Sequence, residues 1–214
     1  MITLTELSVD FNDELTPFFQ VNSNNRIRFG LSEISYVELK SILDYIFKKV
    51  DTVDMVYLVA NIISNKYIYT KTAVRKSIFI RNWEEIVEEN EEARHLYAIV
   101  KNIDITQVQK YALSIYKGRR AAYLAFYLKD RLVYISSDVV DIISDDVQFI
   151  SHLKEKFSNL YNKYYEWLSS YIYIQNNVPK RKFGNTSKSH ERCEINVSWL
   201  FLWTLFIHLF IQIA

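Results

Sequence analysis

Residues 197–214, VSWLFLWTLFIHLFIQIA, run for eighteen positions without Asp, Glu, Lys or Arg. As a helix this run is about 27 Å long, close to the roughly 30 Å hydrocarbon thickness of a bilayer. It cannot stay in water, because each buried large apolar side chain is worth about 1.5–3 kcal/mol and about a dozen are present. It therefore enters a bilayer or packs against protein. Trp199 and Trp203 stand at the end nearest a basic linker, residues 176–194, where interfacial aromatics belong. That arrangement predicts a tail anchor with the main domain cytosolic. A helix buried in a protein interface is the alternative, since Thr204, His208 and Gln212 recur every four residues as a narrow polar stripe.

The rest of the chain reads as mainly α. Three Gly and two Pro in 214 residues disfavour an all-β protein with many tight turns. Residues 1–31 are an N-terminal arm or short strands. Ser35 and Glu38 have capping-box spacing, and Leu39, Ile42, Leu43, Ile46 and Phe47 follow as a helical stripe. Val56, Val59, Ala60 and Ile63 suggest a second helix, and Ala73, Ser77 and Ile80 a third. Residues 147–175 predict a long amphipathic helix. Ile150, Leu153, Phe157, Leu160, Tyr164, Trp167 and Tyr171 form a heptad seam along it, either packed on its own domain or facing a homodimer or partner helix.

Between these lies a domain of residues 32–146, whose segment 96–137 is distinctive. Ala98 falls in a first short helix, Asn102 suits a left-handed turn, Ile103 plugs the corner and Asp104 caps a second helix. Val108, Tyr111, Ala112 and Ile115 make the inner face of that second helix, and Gly118 ends it. Two apolar runs around Lys129-Asp130-Arg131 then read as a β-hairpin. Helix, turn, helix and hairpin resemble a winged helix-turn-helix. Residues 101–131 carry seven Lys/Arg and two Asp, whereas the chain as a whole has a net charge of +1. The resemblance implies nucleic-acid binding, with Thr106 outward, Gln107 and Lys110 at base edges, and Lys117, Arg119, Arg120 and Arg131 at phosphates. An ordinary helical domain followed by a hairpin is the competing explanation.

Catalytic motifs are missing. No Walker loop, GxGxxG or HExxH occurs, and His95, His152, His190, His208 and the single Cys193 do not have zinc-site spacing. Six Glu among residues 84–92 read as a metal or basic-partner site or as a solvated helix face. Asp138, Asp141 and Asp145 read as metal ligands or as first-turn carboxylates of a helix. No enzyme activity, cofactor or metal is expected. A lone cysteine and an N-terminus without a basic, apolar leader predict an intracellular, membrane-anchored protein. Two functions fit: a membrane-tethered nucleic-acid-binding or regulatory protein, or a helical interaction or scaffold protein assembled through its C-terminal helix.

Overall fold

In the computed structural model, a large antiparallel sheet stands where the sequence predicts a mainly helical domain. The structure describes residues 3–4, 7–11, 13, 15–89 and 94–164, all within one unit spanning residues 1–177. A two-stranded pair, β1 (Thr3–Leu4) and β2 (Val9–Asp10), precedes a short helix α1 (Pro17–Gln20). The large sheet is built from β3 (Arg26–Gly30), β4 (Thr52–Ile63), β5 (Lys66–Tyr69), β6 (Trp83–Glu89), β7 (Arg94–Asp104), β8 (Leu124–Tyr127), β9 (Arg131–Ile135) and β10 (Val139–Ser144). Its order is β3-β10-β9-β8-β4-β7-β6, with β5 also paired to β4. The helices are α2 (Tyr36–Ile46), α3 (Val74–Ser77), α4 (Ile105–Tyr116) and α5 (Val147–Lys156).

The helical expectation fails first at β4 and β7. Thr52, Val53, Val56, Val59, Ile62 and Ile63 are β-branched and favour a pleated backbone over a helix. The 3–4 spacing of apolar residues in β4 arises because this central strand is buried on both faces, so its sequence is nearly continuous in apolar residues. Met55 faces the helices, while Val56 faces the opposite cluster. Ser64 and Asn65, at φ +48° and +61°, turn β4 back into β5, where both left-handed residues suit a tight hairpin. Asn102 is also left-handed, at φ +56°, but it marks a bulge in β7 and not a turn between helices.

The winged helix-turn-helix is thereby overturned. Its supposed first helix is β7. Its hairpin, β8–β9, is no free wing, because β8 pairs β4 and β9 pairs β10 in the middle of the sheet. The long heptad helix is overturned as well: α5 ends at Lys156. Ile150, Leu153 and Phe157 are buried against the chain's own sheet, and Leu160 packs beside them. Tyr164 is exposed, and Trp167 and Tyr171 lie outside the described residues. Among the described residues no helix is long and apolar enough to cross a membrane. The expected anchor, residues 197–214, lies outside the described residues, which end at 164.

Local helix signals hold. Ser35 Oγ accepts from the Glu38 N–H while Glu38 Oε2 accepts from the Ser35 N–H, closing the capping box of α2. Asp104 caps α4. Gly118, at φ +81°, closes α4 with Schellman bonds from its own N–H to the Ile115 carbonyl and from the Arg119 N–H to the Ser114 carbonyl. The inner faces of α2, α4 and α5 cover one face of the sheet, where Ile27, Ile142, Val133, Phe126, Met55 and Val100 stand in one register row. The other face is covered by the N-terminal arm, with Leu7, Val9 and Phe11 against Val56, Tyr97, Leu132 and Ile143.

Candidate functional site

Register fixes which side chains share a face, and beyond the reach of α2 and α4 the helix-covered face opens into a cleft. Glu85, Ala98 and Tyr57 lie in one row across β6, β7 and β4. Trp83 is one step before Glu85 on the same face, and Val87, Leu96, Ala60 and Tyr69 form the next row. After Tyr69 the chain crosses back over this face. The Ala73 N–H donates to the Arg120 carbonyl at 3.0 Å, and α3 then lies along α4. Between sheet and crossing segment are two adjoining cavities of about 390 and 620 Å³ that share Tyr57, Val59, Tyr69 and Arg75.

The cleft's surface is aromatic and basic. Tyr69, Phe79 and Trp83 are 63, 65 and 57% exposed, high values for large rings grouped in one place. Residues 55–83 contain no Asp or Glu but include Lys66, Lys71, Arg75, Lys76 and Arg81. The Arg81 guanidinium sits over the Phe79 ring at 4.7 Å, and Tyr67 and Tyr69 stack at 6.2 Å with planes 23° apart. Glu85 is the carboxylate in this lining. Burial raises the Tyr57 phenol above its ordinary range; Arg75 opposes that rise and Glu85 adds to it, so both charges act on the cleft floor.

The structure divides the predicted phosphate and base contacts into two groups. Lys117, Arg119 and Arg120 are exposed, and the Ala73–Arg120 bond brings their segment against the one bearing Lys71, Arg75 and Lys76. Lys110 is exposed on α4. Thr106 is engaged at the cap, its N–H and Oγ1 both donating to Asp104 Oδ1 at 2.7 and 2.6 Å. Gln107 Oε1 accepts from the Phe79 N–H at 2.6 Å, and Ser77 Oγ donates to Ser114 Oγ, so the crossing segment occupies the outer face of α4 that a recognition helix would need. Arg131 is structural: it pairs with Asp130, donates to the Ile46 carbonyl at 3.0 Å and lies over the Phe149 ring at 4.2 Å.

The acidic clusters likewise separate. Glu84 and Glu88 face one side of β6, and Glu85 and Glu89 face the other. Asp141 is consumed by Arg28. Among the described residues no group of His, Cys, Asp or Glu could hold a metal. Sequence reasoning passed over Tyr57, Tyr69, Phe79 and Trp83. The usable signal is the acid-free run of residues 55–83 interleaved with aromatics, which helical spacing does not reveal. No family model, curated protein or solved structure matches the chain.

Proposed function

We propose that this protein binds single-stranded nucleic acid in the cleft between β4–β5 and the crossing segment. The observation that carries the reading is the grouping of three exposed rings with an acid-free stretch whose Lys71, Arg75 and Lys76 line the same cleft. Single-strand binders combine those two elements: rings on which bases stack, and a basic track for the backbone. Trp83, Tyr69 and Phe79 are the stacking surfaces. Lys71, Arg75, Lys76, Arg119 and Arg120 are the phosphate contacts. Glu85 is an acceptor only, so it favours a base that turns an amino group toward it.

The test is titration of a short labelled oligonucleotide across about 50–200 mM salt. Trp83→Ala is expected to lose the about 1–3 kcal/mol of one stacked base, roughly 5- to 150-fold in Kd. Replacing Arg119 and Arg120 together by Ala is expected to weaken binding to all sequences and to flatten the log–log salt slope by about 1.4. Absence of any complex at the lowest salt would sink the reading. A protein partner is the second reading, supported by Ile63 and Ile68, which are exposed on the opposite face of the β4–β5 hairpin.

A further inference from the structure

Glu85 and Arg75 line the cavity of about 390 Å³ beside Tyr57. Both act on the Tyr57 phenol, Arg75 against its rise and Glu85 with it, so the three groups adjoin. Ala98 stands between Glu85 and Tyr57 in their row across β6, β7 and β4. Its single methyl group leaves a gap between the carboxylate and the phenol. Trp83 comes two positions before Glu85 on the same face of β6, about 7 Å away along the strand. A base stacked on the exposed Trp83 ring has Glu85 at its edge. Glu89, the other acid on this face of β6, is paired with Arg94 at 3.4 Å, whereas Glu85 is exposed in the cavity wall. Val59, Ile78 and Ile80 complete that wall with apolar surface, against which a hydrogen bond is stronger than in open water.

An ionised carboxylate only accepts hydrogen bonds, through two oxygens side by side. The Watson–Crick edges of the bases differ in what they offer it. Guanine presents two adjacent donors, N1–H and the N2 amino group. Adenine and cytosine each present an amino group beside an acceptor nitrogen. Uracil and thymine present a single N–H between two carbonyl oxygens. Only guanine meets both oxygens of Glu85 with donors, and each of the others sets a lone pair against the negative charge. The next edge of guanine carries two acceptors, O6 and N7, the pattern a guanidinium fork matches. Arg75 has five N–H donors, enough to meet O6 and a phosphate as well. A carboxylate among phosphate contacts otherwise weakens binding of every strand, because it repels the backbone. We infer that Glu85 makes this cavity selective for guanine, a specificity that rests on the reading of the cleft as a nucleic-acid site.

The experiment is a fluorescence-anisotropy titration of the full chain with short labelled oligothymidine strands carrying guanine, adenine, cytosine or thymine at the central position. The guanine strand is expected to bind tighter than the others by roughly 5- to 150-fold, the discrimination of one bidentate contact. Inosine, which keeps N1–H and lacks the N2 amino group, is expected to bind the unmodified protein roughly 2- to 10-fold more weakly than guanine. Glu85→Gln replaces an acceptor by a donor and removes the charge. Because Glu85 is exposed, that variant is expected to keep its fold. It is expected to lose most of the guanine preference while its affinity for the other strands holds or rises. Equal affinity for all central bases, with binding intact, would overturn the inference and leave the strand reading standing. A guanine preference kept in full by Glu85→Gln would also overturn it. No complex with any strand would sink the strand reading instead. Guanosine monophosphate binding tighter than adenosine monophosphate would then still support guanine selectivity, and equal or absent binding of the two nucleotides would overturn it.

Discussion

Among the described residues Tyr111 is the largest fully buried side chain, and it lies in the core between the helices and the sheet. Its ring meets Phe126 edge-on at 5.8 Å, and its hydroxyl oxygen accepts from the Ala122 N–H at 3.0 Å. Burial pushes the phenol from 10.0 up to about 12. The folded value thus lies above the unfolded one, so the stabilisation is complete below pH 10 and is lost as pH rises toward 12. Alkaline urea titrations are expected to show a loss across that window to which Tyr111 contributes roughly 2–3 kcal/mol, with Tyr97, also raised by burial to about 12, adding its own share. Tyr111→Phe is expected to remove only the Tyr111 share of that alkaline loss while costing about 1–3 kcal/mol at neutral pH, because the Ala122 N–H loses its acceptor. For the Arg28–Asp141 pair, Asp141→Ala is expected to cost about 3–5 kcal/mol, and the double change Arg28→Met with Asp141→Leu to recover most of it, measured by urea unfolding. The capping residues Ser35, Glu38, Asp104 and Gly118 were legible in the sequence, since each acts on backbone within a few positions of itself. Arg28 and Asp141 were not, because 113 positions separate them and only strand pairing makes them neighbours.

Among the elements, α2 and α4 were legible because one apolar stripe meets one sheet face, so a period near 3.6 survives in the sequence. β4 and β7 were illegible for the opposite reason. Each is covered on both faces at its core-facing end and carries a bulge that breaks strict alternation. The cleft is illegible for a related reason: the spacing of Ala73, Ser77 and Ile80 predicts a third helix, whereas α3 is only four residues long and Phe79 and Ile80 lie beyond its end. The N-terminal arm is the element most open to test. Phe11 is buried against Tyr123 at 5.5 Å, and its carbonyl accepts from the Tyr97 hydroxyl at 3.0 Å. Phe11→Ala is expected to lower stability by about 3–5 kcal/mol with little change in far-ultraviolet circular dichroism, since the sheet and its helices persist.

For the molecule as a whole, three of the seven pairings in the large sheet join distant parts of the chain, β4 with β7, β4 with β8 and, above all, β3 with β10. Such topology favours refolding in milliseconds to seconds, far slower than a helical bundle, and stopped-flow refolding from urea is the measurement that checks it. The same pairing has a consequence during synthesis. A ribosome adding 5–20 residues per second releases Asp141 roughly 6–23 s after Arg28. For that interval β3 has neither its strand partner nor the carboxylate that neutralises Arg28, and its backbone is a template for any other extended chain. The nascent protein is thus most vulnerable to wrong pairing in the middle of its synthesis, and a slower ribosome lengthens the hazard in proportion.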